Sequence, residues 1–249
     1  AAADAFDKFL SLYTQKDSYA ADALNRRGDV HYAMREFDAA VKSYNNSAAL
    51  GTSERYYAAY QRALVLGYQG KTNDKIAALS NIVRDDRGDY VDAATYELGR
   101  TYIVDEQYDK GVKTLEEFVR NYPSSSYKLQ ALSDLGLAYM NLGQNDKAFK
   151  YYDLVVQSAP QSSQSKSALQ SIREIYIAQG DADAYFKYAD KYGLESNVST
   201  MTRDSLSYAA AQKLYLDNKV AEAAVSLKSY LTNYPNGYYR NDALFFLSD

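Results

Sequence analysis

The chain has 249 residues, 27 of them tyrosine, with no cysteine or tryptophan, one histidine and three prolines; 47% of its residues are apolar and 24% charged, the balance of a globular chain. Without cysteine there is no disulfide framework, thiolate metal site or thiol nucleophile, and a single histidine excludes every zinc arrangement that needs two imidazoles. The net charge of −4 gives phosphate backbones and anionic lipid little to attract them, so nucleic acid is excluded as the expected partner.

The chain opens on Ala1 to Phe6, which lacks an initiator Met, a basic leader and an apolar stretch, and so reads as a cut end rather than a signal peptide. No run reaches the roughly 18 to 20 apolar residues of a transmembrane segment. Ala2, Phe6 and Phe9 have the spacing of a second helix whose first helix is absent. A pattern then recurs down the chain. Gly28, His31, Phe37, Ala40 and Tyr44 are followed by Ala63, Leu66, Gly70, Lys75 and Leu79, then by Gly99, Tyr102, Tyr108, Gly111, Leu115 and Pro123. Next come Gly136, Tyr139, Gly143, Ala148, Tyr152 and Pro160, then Arg173, Tyr176, Gly180, Tyr185 and Ala189, then Leu214, Asn218, Ala223, Leu227 and Pro235. Positions equivalent to Gly28 are Ala63, Gly99, Gly136, Arg173, Ala211 and Ser248, at spacings of 35, 36, 37, 37, 38 and 37 residues.

A fixed period of this length is the mark of a repeat array. Within each unit the apolar residues recur at helical spacing in two blocks, parted by Gly70, Gly143, Gly180 or Asn218, the residue types that end a helix in the left-handed conformation. All three prolines follow the second block, where they stop the helix without harm. Ser124 to Ser126, Ser162, Ser163 and Asp204 are the expected N-caps of the following hairpins. The expected fold is all-α, about 14 helices in a right-handed superhelical solenoid of stacked antiparallel hairpins. It forms a single array over 1–249: a partial repeat over 1–20, repeats at about 21–55, 56–91, 92–128, 129–165, 166–203 and 204–240, and a partial repeat over 241–249. The leftover ends suggest a piece of a longer chain. Phe6, Phe9, Leu10, Phe245 and Phe246 are expected to expose apolar surface there, which would permit end-to-end self-association.

Residues that could carry chemistry have structural readings. Gly67-Tyr68-Gln69-Gly70-Lys71-Thr72 ends like a phosphate-binding loop, but its first glycine stands too close and no strand precedes it. Ser163-Gln164-Ser165-Lys166 matches S-x-x-K without its companion motifs. Asp181, Asp183 and the run Asp85, Asp86 and Asp89 lack the spacing of a calcium loop and read as caps and helix-dipole partners. His31 holds a position that other units fill with tyrosine and reads as a packing residue, while Glu116 and Glu117 point apart on a helix. Asn45 and Asn197 begin Asn-x-Ser sequons. No acid, base or nucleophile stands out, and neither an enzyme nor a cofactor or metal site is expected.

Leu98-Gly99-Arg100-Thr101-Tyr102, and the A-x-x-x-[FY]-x-x-[AVF] run before each proline, resemble the tetratricopeptide repeat, TPR, along the whole chain. Asn121 to Tyr127 and Asn233 to Tyr238, with their Tyr-Pro-x-[Ser/Gly]-x-Tyr joins, are similar to bacterial cell-envelope members of that family, including those of the Tol-Pal and outer-membrane assembly systems. The resemblance implies a concave groove lined by the first helix of each hairpin. It places Tyr32, Tyr57, Tyr60, Tyr68, Tyr96, Arg100, Met140, Asn141, Tyr208 and Tyr215 in that groove. It further implies a noncatalytic scaffold that binds a protein or peptide ligand in a bacterial envelope assembly, in the periplasm or at the outer membrane. The abundance of groove tyrosines keeps a second reading open, a carbohydrate-binding array whose rings stack on sugars.

Overall fold

The computed structural model describes residues 2–194 and 198–248, so Asn197 lies outside the described residues. All regular structure among them is helical. The helices are α1 (Ala2–Leu12), α2 (Ser18–Ala33), α3 (Phe37–Ala49), α4 (Arg55–Tyr68), α5 (Thr72–Asp85), α6 (Val91–Val104) and α7 (Tyr108–Asn121), then α8 (Lys128–Asn141), α9 (Asn145–Ser158), α10 (Ser163–Ala178), α11 (Ala182–Lys191), α12 (Thr200–Leu216), α13 (Val220–Asn233) and α14 (Arg240–Ser248). The helices pack as two compact units, Ala1–Ala138 and Tyr139–Asp249, with the division inside α8.

Both units are built from the same hairpin, and the turn between its helices explains why it recurs. Two residues past the end of α2, α4, α6, α8, α10 and α12, the chain turns left-handed at Arg35, Gly70, Glu106, Gly143, Gly180 and Asn218. The next amide then donates back to a carbonyl of the preceding helix, from Glu36 to His31, Lys71 to Leu66, Gln107 to Tyr102, Gln144 to Tyr139, Asp181 to Tyr176 and Lys219 to Leu214, at 2.8 to 3.0 Å. That bond satisfies a carbonyl the helix leaves orphaned and reverses the chain within three residues. Glycine or asparagine signals four of these turns; Arg35 and Glu106 carry no such signal.

In the first unit, close helix approach depends on small residues. A Cβ on Gly28 would stand 2.5 Å from the ring of Tyr44, so only glycine lets α3 lie this close to α2. Tyr44 is fully buried with Ala40, Ala58 and Val65, and its hydroxyl donates to Asp29 at 2.8 Å. A second cluster gathers Tyr60, Ala63, Leu79, Ile82, Ala94 and Leu98 across α4, α5 and α6. In the second unit, Tyr208, Ala211, Leu227, Tyr230 and Ala243 form the equivalent core. Asp204, expected as an N-cap, is instead buried within α12, where it accepts from the hydroxyl of Tyr230 and the amide of Tyr238. Ser199 caps that helix, while Ser162 caps α10 as expected. Phe9, Leu12 and Phe245 are exposed on α1 and α14.

A non-glycine residue held left-handed is strained by about 1 kcal/mol or more. Glu106→Gly should therefore stabilise the protein by about 0.5 to 1 kcal/mol, and Gly143→Ala should cost about as much, read as shifts of the urea midpoint. Burial comes first among the causes that push the Tyr44 and Tyr57 hydroxyls above the ordinary 10.0, with Asp29 next. A raised folded value means that this stabilisation is complete below pH 10 and is lost as the pH climbs beyond it. Alkaline titration should thus show buried tyrosines ionising together with loss of helical circular dichroism. Full ionisation of the tyrosines with the helices intact would contradict it.

Candidate functional site

The residues placed in the groove by resemblance divide into two groups. On α4, Tyr57, Tyr60, Leu64 and Tyr68 recur at helical spacing and share a face. Tyr60 is buried, stacked on Tyr90 with ring centroids 5.5 Å apart. Tyr96 on α6 is buried in the same way against Tyr127 at 5.0 Å, and its hydroxyl donates to Asp134 at 3.0 Å. In the second unit Tyr208 is stacked on Tyr239 at 4.5 Å with the rings parallel. Tyr57 is half-buried, its hydroxyl donating to the same Asp29 oxygen that Tyr44 uses. These four side chains are committed to packing, because the segment that enters the following repeat lays a second ring over each of Tyr60, Tyr96 and Tyr208.

The others present surface. Tyr68 is 64% exposed and leans on Tyr32 and Phe37 at 5.4 and 6.2 Å between centroids. Arg100 is exposed on α6. Met140 and Tyr215, both in the second unit, are half-buried, the latter against Phe246; Asn141, also in that unit, is exposed.

Tyr68 and Arg100 come together in one cleft of the first unit, about 440 Å³ in volume, with Leu64, Lys75, Glu97, Thr101 and Val104. Its floor is an ion pair, Lys75 Nζ to Glu97 Oε1 at 2.6 Å, with both side chains largely shielded from water. Arg100 stands 3.7 Å from the same carboxylate. Lys75 occupies the position that Ala40, Gly111, Ala148 and Ala223 hold in other repeats, and its chain lies where a Cβ on Gly67 would meet it at 2.8 Å. Tyr68 and Val104, the latter 73% exposed, are the apolar rim. Lys75, Glu97 and Thr101 were missed by the sequence reading. Their signal was the long cation at a position that favours small residues.

Burial raises the Asp134 carboxyl above its usual range, against the pull of the Tyr96 hydroxyl and the Arg100 guanidinium. A second cleft of about 610 Å³ lies at the other end of α4, where Tyr57 and Tyr90 stand among Asp22, Arg26, Glu54 and Asp89. The segment that resembles a phosphate loop is the α4–α5 turn, and Ser163 to Lys166 is the first turn of α10. His31 Nδ1 lies 2.6 Å from Glu36. Asp181 caps α11, and Asp183 accepts from Ser207, Asn233 and Tyr234. Among the described residues no group of His, Cys, Asp and Glu is placed to hold a metal, and no helix is long and apolar enough to cross a membrane. Both clefts of the helix face therefore offer shape, apolar surface and charge for recognition.

Comparison with known proteins agrees with this architecture. The family model described as tetratricopeptide repeat matches residues 96–163. A search of curated protein sequences returned no match. Among solved structures, MamA 41-end from Desulfovibrio magneticus RS-1 superposes with a TM-score of 0.57 at 18% identity, over 72% of this chain and 97% of that one. A crystal structure of MamA gives 0.55 at 24% identity, over 66% and 91%. A tetratricopeptide repeat protein from Parabacteroides merdae ATCC 43184 gives 0.51 at 15% identity, over 92% and 83%. At these identities the structures show the fold alone. Residues 96–163 thus match the tetratricopeptide repeat directly, and the recurring hairpin and fold of the chain are similar to those of tetratricopeptide repeat proteins.

Proposed function

We propose that the protein is a noncatalytic scaffold that binds a peptide segment of a partner protein along the helix face of its first unit. Tetratricopeptide repeats are, as a family, protein-interaction modules. The observation that carries the reading for this chain is the cleft of Tyr68 and Arg100: an exposed ring and valine beside a guanidinium, over a floor whose charges are already paired. A paired floor costs a ligand no stranded charge, and the Tyr and Arg at the rim are the residue types that dominate protein interfaces. The same cleft can seat an apolar side chain on Tyr68 and Val104 and a backbone carbonyl or carboxylate on Arg100. Sugar stacking draws no comparable support, because the faces of Tyr60, Tyr96 and Tyr208 are each covered by another ring. An envelope setting belongs to the same proposal and rests on the Tyr-Pro joins alone.

The residues to change are Tyr68 and Arg100, since alanine at Tyr60 or Tyr96 would remove buried packing worth about 3 to 5 kcal/mol and confound any loss of binding. In a crosslinking capture from lysate, Tyr68→Ala with Arg100→Ala should lose partners that the wild-type chain retains, with an unchanged thermal melt. An identical partner set from both proteins would remove the cleft from consideration.

A further inference from the structure

A cleft of about 650 Å³ lies on the opposite face of α4 from Tyr57, Tyr60 and Tyr68. Its floor is Ala48, Ala59, Leu66 and Ile82, and Arg62 stands in it half-buried. Among the described residues Arg62 has no ion pair or hydrogen bond. Taking a guanidinium partly out of water without a partner is unfavourable, which makes its isolation informative.

The chain contains its own comparison. Arg27 on α2 holds the equivalent position one repeat earlier, and there both of its partners are present. Its Nη1 donates to Asp7 on α1 at 2.7 Å and its Nε to Ser43 on α3 at 3.2 Å. Thirty-five residues on, the same frame replaces Asp7 with Lys42 and Ser43 with Ala78. Lys42 is exposed and likewise unpaired. The substitutions take away the carboxylate and the hydroxyl, put a second cation in the carboxylate's place and shorten a wall of the cleft. The acids at the rim do not compensate: Asp85 is held by Arg87, and Asp74 is exposed in the first turn of α5, where the helix dipole favours it.

We propose that this cleft takes an acidic segment of a partner protein, with an aspartate or glutamate carboxylate in the position that Asp7 takes against Arg27. The alanine and leucine floor receives the segment's apolar side chains, and Lys42, which the frame sets in the place of Asp7, adds attraction. This surface is separate from the tyrosine face, so either can fail without the other.

The probes are two fluorescein-labelled peptides of alternating residues, glutamate with leucine and glutamine with leucine, followed by fluorescence anisotropy on the full chain. The glutamate peptide should bind about tenfold or more tightly than its neutral counterpart at low salt, and the difference should shrink as salt is added. Arg62→Leu should abolish the difference. It should also fold, since Leu98 and Leu135 hold this position in later repeats, and a circular dichroism melt checks this. Lys42→Asp should restore the internal carboxylate, raise the melting temperature and compete the peptide away. Tyr68→Ala should leave binding unchanged. Equal affinity for the two peptides, unaltered binding by Arg62→Leu, or Arg62-dependent self-association in sedimentation, which would assign the cleft to a second copy of the chain, would each overturn the proposal.

Discussion

The structure depends on a tyrosine ring packed between helices with its hydroxyl resting on an aspartate. Tyr44 on Asp29, Tyr96 on Asp134, Tyr188 on Asp153 and Tyr230 on Asp204 repeat this arrangement in both units. A buried hydroxyl without a partner would cost a few kcal/mol, and a bond to a charged acceptor returns about 1.5 to 3 kcal/mol. The ring supplies apolar burial to two or three helices at once, and the hydroxyl fixes which helix it must face. Phenylalanine would give the burial without the address. The rest of the hairpin is arranged around the ring: Gly28 has no side chain because Tyr44 occupies the space, and the left-handed turn at Arg35 sets the return of α3.

This accounts for which features were legible in the sequence. The hairpins were, because their period is carried by backbone requirements that only a few residue types meet, as at Gly70, Gly143 and Gly180. The turns at Arg35 and Glu106 were not legible by residue type, since neither favours the left-handed region, yet the frame locates them at the same phase. Tyr60, Tyr96 and Tyr208 are packed under a second ring and Tyr57 is half-buried, whereas Tyr68 is exposed. Helical periodicity assigns a side chain to a face and is silent about what the next loop lays over it. The missing information was nevertheless present as a pairing. Tyr60 with Tyr90, Tyr96 with Tyr127 and Tyr208 with Tyr239 are each a tyrosine followed by another 30 or 31 residues later, in the segment that enters the following repeat. Where the first member is Asn25, the second is Glu54, and the two form a hydrogen bond instead. The Tyr-Pro joins gain a packing role by the same logic, with Tyr239 rather than Tyr238 standing where Tyr127 does.

Both clefts that flank α4 arise where the chain departs from its own frame. Lys75 replaces a small residue and brings Glu97 with it; Arg62 replaces the leucine of later repeats and has lost the partners of Arg27. Departures from a locally consistent pattern are expected to concentrate at functional positions, because the stability they forgo must be matched by some other gain. Here the two departures differ in kind. At Lys75 the charge is neutralised internally, which leaves a shaped surface of mixed polarity. At Arg62 the charge is left over.

That difference bears on how the two faces of α4 would work together. Energetic coupling between sites needs an element with two discrete arrangements that both ligands bias. Between the clefts, α4 is packed on Ala58, Ala63 and Val65, which are essentially without exposure. A helix seated on alanine methyl groups against neighbouring backbones has no room to rotate without creating voids on one side and overlaps on the other. The structure therefore favours two independent surfaces on one rigid helix. A partner that reaches both gains from effective concentration, set by the length of chain joining its two segments, rather than from any change of shape in the repeat.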